Sequence, residues 1–230
     1  MAKSSECAGA HPAIRDSKAV LFDFDFTLAD SSVGITACIN YGLTQLGLPE
    51  APRNKIMKTI GLYIPEALVA LVGEEYRCRG QEFFGYFTQK ADEVMADGTH
   101  IYPATGHIIP SLVRLGYRVG IVSTKYRYRI EGMMEEAGLL DCLDVIIGGE
   151  DVTRHKPAPD GLIKAAECLD LRVEDCVYVG DSHVDADAAR AAEMPFVAVL
   201  SGTTTAEVFS EYPNVAIMPG IDGLVGEAFC

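Results

Sequence analysis

Lys18–Ser31 reads KAVLFDFDFTLADS, and its first half decides the architecture. Ala19-Val20-Leu21-Phe22 is a short unbroken apolar run that ends abruptly in Asp23. A strand buried on both faces reads this way, with no polar alternation. Comparable runs recur at Arg118–Val122, Leu143–Ile147, Cys176–Val179 and Phe196–Leu200. Between the later runs lie segments with helical spacing. Ile108, Leu112 and Leu115 are closed by Gly116. Leu162, Ala165, Ala166 and Leu169 follow Pro159, and His183–Ala192 is rich in alanine. Strands alternating with helices imply right-handed crossovers and an α/β fold.

The expected sheet is Rossmann-like: parallel, with helices on both faces. One stretch breaks the alternation. Ser31 to His100 holds no convincing strand and shows two amphipathic faces instead. The first carries Ile35, Ile39, Leu43 and Leu46; the second carries Phe83, Phe84, Phe87, Ala91 and Val94, with a short helix over Pro65–Val72 between them. The aromatics read as packing between helices. The expected organisation is therefore a loose polar arm over residues 1–17, a sheet core over 18–30 and 101–230, and an all-helical cap over 31–100 inserted after the first strand. Hinges are expected at Ala29–Ser32 and Asp97–Ile101.

Composition narrows the function classes. Asp and Glu total 33 against 19 Lys and Arg, a net charge of −14. That field repels nucleic acid and anionic membrane, so neither is an expected partner. No apolar run approaches the roughly 18 residues needed to span a bilayer. The N-terminal residues carry no stretch suited to a signal peptide, and the seven cysteines form no CxxC pair. A cytoplasmic, reducing location is the expectation. Monomer and homodimer both stay open.

Open parallel sheets bind ligands at the carboxyl ends of their strands. The first strand ends in Asp23-Phe24-Asp25-Phe26-Thr27 and the second in Ser123-Thr124-Lys125. Arg154-His155-Lys156-Pro157 follows the third, and the fourth ends in Gly180-Asp181-Ser182-His183-Val184-Asp185. Carboxylates, hydroxyls and a lysine thus converge on one edge. Two close buried carboxylates are costly unless a cation or proton compensates them. Asp187 reads as a charge complementing the helix N-terminus, and Asp185 as either that or support for the site. Lys125, Arg127 and Arg129 read as the solvated start of a helix. Gly61, Leu62 and Tyr63 are placed near the pocket.

The order DxDxT, a hydrophobic run ending in Ser or Thr, a lone Lys, then GDSxxD resembles the haloacid dehalogenase superfamily over residues 18–200. FDFDFTLADS, IVSTK, HKPAPDGL and VGDSHVDADAARAA resemble its phosphoglycolate phosphatase-like branch, whose helical cap lies between the first and second motifs. The resemblance implies that Asp23 is a nucleophile forming an aspartyl-phosphate and that Asp25 is the general acid and base. It implies that Ser123, Thr124 and Lys156 bind the phosphoryl group, and that Asp23, the Asp25 carbonyl and Asp181 hold Mg²⁺. Asp25 also argues for phosphate esters over carbon–halogen bonds. The implied enzyme is a Mg²⁺-dependent phosphatase acting on a small phosphorylated metabolite. A phosphomutase of the β-phosphoglucomutase type, an inorganic pyrophosphatase and a receiver-like signalling module are the alternatives. One departure stands out: Phe26 occupies a position where that branch most often has glycine.

Overall fold

The computed structural model describes residues 9–212 and 216–226; residues 1–8 of the expected arm, 213–215 and 227–230, with Cys7 and Cys230, lie outside the described residues. The strands are β1 (Ala19–Phe22), β2 (Ala29–Asp30), β3 (His100–Ile101), β4 (Arg118–Val122), β5 (Val145–Ile147), β6 (Cys176–Gly180), β7 (Phe196–Val199) and β8 (Ala216–Met218). The helices are α1 (Ser32–Gln45), α2 (Arg53–Ile56), α3 (Ile64–Val72), α4 (Gly80–Val94), α5 (Pro103–Arg114), α6 (Arg127–Glu136), α7 (Asp160–Cys168), α8 (His183–Ala192) and α9 (Ala206–Phe209).

Six strands form one parallel sheet in the order β5-β4-β1-β6-β7-β8. The central strand is apolar on both faces, and both faces are covered. Val20 and Phe22 pack into a cluster with Ile109 and Leu112 of α5 and with Ile130 and Met134 of α6. Ala19 and Leu21 point the other way, toward Leu162 and Ala165 of α7 and Ala188 of α8. Each fully buried Leu, Val or Phe contributes about 1.5–3 kcal/mol. Register then fixes the functional edge. Phe22 lies opposite Ile121 on one side and Val179 on the other, so Asp23 leaves the sheet level with Val122 and Gly180.

Helices α1 to α4 follow β2 and end just before β3. Ile35, Ile39 and Leu43 of α1 meet Phe83, Phe87 and Ala91 of α4 in a buried seam. Strands β2 and β3 pair antiparallel, Ala29 with Ile101 and Asp30 with His100, so the chain leaves and rejoins the sheet at one place. Gly34 and Gly98 close that base. The Gly34 amide donates to the Gly98 carbonyl at 3.1 Å, and a Cβ on Gly98 would lie 2.6 Å from the Gly34 Cα.

The structure corrects the reading of the N-terminal arm over its described part. Ala10 bridges to Val225, the His11 amide donates to the Leu224 carbonyl, and Ile14 is fully buried in the main core. One isoleucine in a polar run carries no periodicity, so the anchor was invisible to pattern.

Phe26 is the one residue of the loop after β1 in the left-handed region, at φ 62°. That explains why glycine suits this position. For an L-residue this conformation costs roughly 1–2 kcal/mol. Here the ring is 4% exposed and packs in the core, which offsets the strain. Removing a buried phenyl group costs roughly 3–5 kcal/mol, more than the strain it would relieve. Phe26→Gly should therefore lower stability by about 1–4 kcal/mol in urea unfolding at constant m; equal or greater stability would mean the ring contributes nothing.

Candidate active site

Asp23 sits one residue beyond β1, its amide donating to the Val179 carbonyl at 2.9 Å. Its carboxylate is 1% exposed and lies 2.9 Å from the Lys156 ammonium. Lys156 donates to Asp185 at 2.6 Å and to the Tyr178 hydroxyl at 2.8 Å. The hydroxyl proton of Tyr178 is shared by the Val122 carbonyl and Asp185. One ammonium is thus clamped between two carboxylates and a phenol, all buried. Burial opposes its charge, but Asp185 and then Asp23 outweigh burial and hold Lys156 well above the usual lysine range.

Asp185 arrives through helix capping. Ser182 caps α8: its Oγ accepts from the Asp185 amide at 3.2 Å, while Asp185 Oδ2 accepts from the Ser182 amide at 3.0 Å and from its hydroxyl at 2.6 Å. The reciprocal box turns the carboxylate toward the strand ends. Asp185 therefore fills both roles that the sequence left open. Asp187 pairs with Arg190 on the helix surface. Asp181 follows β6, accepts from Thr27 Oγ1 at 3.3 Å, and is so tightly covered by Gly202 that a Cβ there would lie 1.8 Å from its Oδ2.

A second ion pair stands beside the first. Asp25 Oδ1 lies 3.1 Å from the Lys125 ammonium, with both side chains below 10% exposure. Ser123 follows β4 directly, and Thr124 Oγ1 reaches the Gly61 carbonyl at 3.4 Å, joining the strand ends to the helical segment. Asp25, Thr124, Lys125 and Arg129 border a small cavity whose remaining walls are largely apolar, among them Ile35, Ile60, Leu62, Phe84 and Phe87.

The sequence matches the family model described as haloacid dehalogenase-like hydrolase over residues 20–199. The chain belongs to that family. It is an enzyme of the phosphatase kind that its relatives represent. A solved structure from Bacteroides fragilis, titled a haloacid dehalogenase-like hydrolase, is 40% identical with a TM-score of 0.87, covering 90% of this chain and 99% of that one. The phosphoglycolate phosphatase of Escherichia coli strain K12 is 29% identical over 91% of this chain and 92% of its own length. That of Nitrosococcus oceani is 28% identical over 82% and 86%.

Members of this family generally use a divalent metal, and the hydrolase's own atoms fit one. Asp23, Asp181 and Asp185 each present a carboxylate oxygen within 4.8 Å of the others, all buried. Three carboxylates against one ammonium leave a buried deficit of positive charge, and Asp23 Oδ1 has no aligned hydrogen-bond donor. The deficit is felt by both outer groups. Burial, only partly countered by Lys156, pushes Asp23 up to about 6, and burial with the charges of Asp185 and Asp23 pushes Asp181 well above the carboxylate range. A buried, oxygen-rich, negatively charged cluster of this kind suits a hard divalent cation.

The hydrolase corrects two sequence readings. Lys125 is not solvated: it is 8% exposed and paired with Asp25. Arg129 is partly enclosed, its guanidinium held by Asp92 at 2.6 Å and the Thr88 carbonyl at 3.2 Å and lying over the rings of Tyr126 and Tyr128. Only Arg127 of that trio is exposed. Phe84 likewise lines the cavity instead of filling the seam between helices. No pattern in the sequence set it apart: Lys125 lies three residues past the end of β4, and the path of the intervening loop turns it inward to Asp25. Gly61 and Leu62 do border the cavity, and Tyr63 stacks on His155 with ring centroids 3.9 Å apart.

The raised pKa of Asp23 has a measurable sign. The folded state holds this proton more tightly than the unfolded chain, whose carboxylate titrates near 3.8. Ionised Asp23 therefore costs metal-free stability above about pH 6, and the cost fades as pH falls toward 4. In EDTA, Asp23→Asn should melt at a higher temperature than the native protein at pH 8, and the gap should narrow at pH 5. A gap that widens on acidification would reverse the assignment.

Proposed function

We propose that this hydrolase cleaves small phosphomonoesters, phosphoglycolate-like in size, with Mg²⁺ and through an aspartyl-phosphate on Asp23. The observation that carries the reading is the buried Asp23 carboxylate, gripped by Lys156 within a cluster deficient in positive charge. Asp23, Asp181 and the Asp25 carbonyl are the groups that would hold the ion. When bound, Mg²⁺ neutralises the clustered carboxylates and screens the negative charge of a phosphate from the nucleophile.

The chain's own residues supply the remaining chemistry. A carboxylate oxygen of Asp23 attacks phosphorus, and the bond to the ester oxygen breaks. Asp25 gives its proton to that departing oxygen, and then accepts one from the water that attacks the aspartyl-phosphate. The Asp23–phosphorus linkage breaks and phosphate leaves, with Asp23 regenerated. Lys156, held by Asp185 and Tyr178, places a fixed charge against the transferring group, and Ser123 with the Thr124 amide donates to its oxygens. The helical segment over 31–100 acts as a cap that limits access. Support for that comes from the cavity, bounded by Thr124 and Lys125 on one side and Ile60, Leu62 and Phe84 on the other.

The net charge of −14 supports a small-molecule substrate over a nucleic acid. Among the described residues no helix is long and apolar enough to cross a membrane. The five described cysteines are all free, which supports a cytoplasmic setting.

Phosphate release from a panel of phosphorylated metabolites should require Mg²⁺ and disappear in EDTA. Asp23→Asn should reduce it at least about 1,000-fold while the fold melts cooperatively, and Asp181→Ala should weaken Mg²⁺ binding measured by calorimetry. Undiminished turnover with chelator, or transfer between two sugar hydroxyls without phosphate release, would overturn the hydrolytic reading.

A further inference from the structure

The helical segment over 31–100 meets the strand ends through a row of rings and through one charge. Tyr126, just before α6, lies 5.8 Å from Phe84 of α4 between ring centroids; Phe84 lies 5.7 Å from Tyr63, and Tyr63 stacks on His155. Apolar attraction has no fixed direction, so these rings hold the segment down without fixing where it sits. Direction comes from Arg129 of α6. Among the described residues, its pair with Asp92 is the one ion pair that joins residues 31–100 to the rest of the chain. Its guanidinium donates to Asp92 Oδ1 from Nη2 at 2.6 Å and from Nε at 3.2 Å, and to the Thr88 carbonyl at 3.2 Å. The Tyr128 hydroxyl donates to the same Asp92 oxygen, and the rings of Tyr126 and Tyr128 flank the guanidinium. An isolated half-exposed ion pair would be weak. A planar fork fastened to a carboxylate, a carbonyl and two rings has little play.

Helix α4 carries that anchor to the cavity. Phe84, Thr88 and Asp92 recur at four-residue spacing, so they share one stripe of the helix. Phe84 and Phe87 border the cavity, and Arg129 borders it from the other side. Asp92 is not part of its wall and stands roughly 12 Å along the axis from Phe84, at about 1.5 Å per residue. Pinning one end of a stiff helix sets where its other end stands.

We infer that Asp92 is a positioning residue that sets how large a substrate the cavity admits, by fixing Arg129 and so holding α4 and its Phe84 wall at one distance from the strand ends. The proposal rests on the phosphatase reading of the same cavity. Its volume, measured to water centres, is about 40 Å³, room for roughly three waters at about 10–15 Å³ each. With the anchor in place, a leaving group of a few heavy atoms fits. Without it, α4 slides on its ring contacts, Phe84 withdraws, and a bulkier group enters.

The Asp92 side chain is half exposed on a helix, and alanine is the best helix former, so Asp92→Ala should fold. Phosphate release with Mg²⁺ compares the better two-carbon ester, phosphoglycolate or ethyl phosphate, with benzyl phosphate. The unaltered enzyme should favour the two-carbon ester in kcat/KM. Asp92→Ala should shift that ratio toward benzyl phosphate by at least about 5-fold, within the range of couplings between residues of one network. In an Arg129→Met background the same substitution should add nothing; a full second shift would show Asp92 acting without Arg129 and would overturn the inference. Where Arg129→Met does not fold, Arg129→Lys takes its place, since it keeps the charge and loses the planar fork. Equal losses on both esters, or a preference for benzyl phosphate in the unaltered enzyme, would also overturn it. An unchanged ratio with phosphate still released refutes this inference alone, whereas no release from any ester by the unaltered enzyme refutes the phosphatase reading with it.

Discussion

One buried ammonium organises the site. Lys156 can remain charged at 7% exposure only because Asp23, Asp185 and Tyr178 surround it, and those carboxylates can remain charged only because it is there. Removing the ammonium would leave a cluster of buried carboxylates uncompensated, typically at a cost of about 3–5 kcal/mol. Each partner comes from a different part of the chain: the loop after β1, the middle of β6, the cap of α8 and the segment before α7. The parallel register must bring all of them to one edge, so the sheet and the charge cluster stand or fall together.

The loop after β1 shows how much local irregularity this requires. Asp23 and Asp25 do not continue the strand, and they pair with different lysines. The Phe24 carbonyl accepts from the Leu28 and Ala29 amides while Phe26 turns left-handed, so the chain reverses within a few residues. The turn aims Asp23 at the Lys156 cluster and Asp25 at the cavity. Separating the two carboxylates lessens their mutual repulsion and gives each its own counter-charge.

Much of the fold was legible because a doubly covered parallel sheet leaves a plain signature: unbroken apolar runs ending in polar residues. Asp23, Asp25, Ser123, Lys156 and Asp181 each follow such a run or sit in a loop tied to one. Short edge elements were not legible. Strands β2, β3 and β8 have two or three residues and owe their existence to pairing, not to pattern. The arm's anchor at Ile14 was hidden for the same reason. Lys125 was hidden differently, since beside Arg127 and Arg129 it resembles an exposed basic stretch. Only the three-dimensional path of β4 shows that it turns inward, and no local composition could have separated it from its neighbours.

The pairing of β2 with β3 has a consequence for how such a molecule can vary. Because the two crossing points are hydrogen-bonded to each other, the sheet sees the intervening helices as the tip of a hairpin. The entropy of closing a loop grows only about 0.6 kcal/mol for each doubling of its length. The hairpin stem therefore insulates the charged edge of the sheet from whatever is grafted above it. Helices could be lengthened, shortened or exchanged there at little cost to the sheet, making the graft point a natural place for new substrate preferences to arise on an unchanged chemical platform.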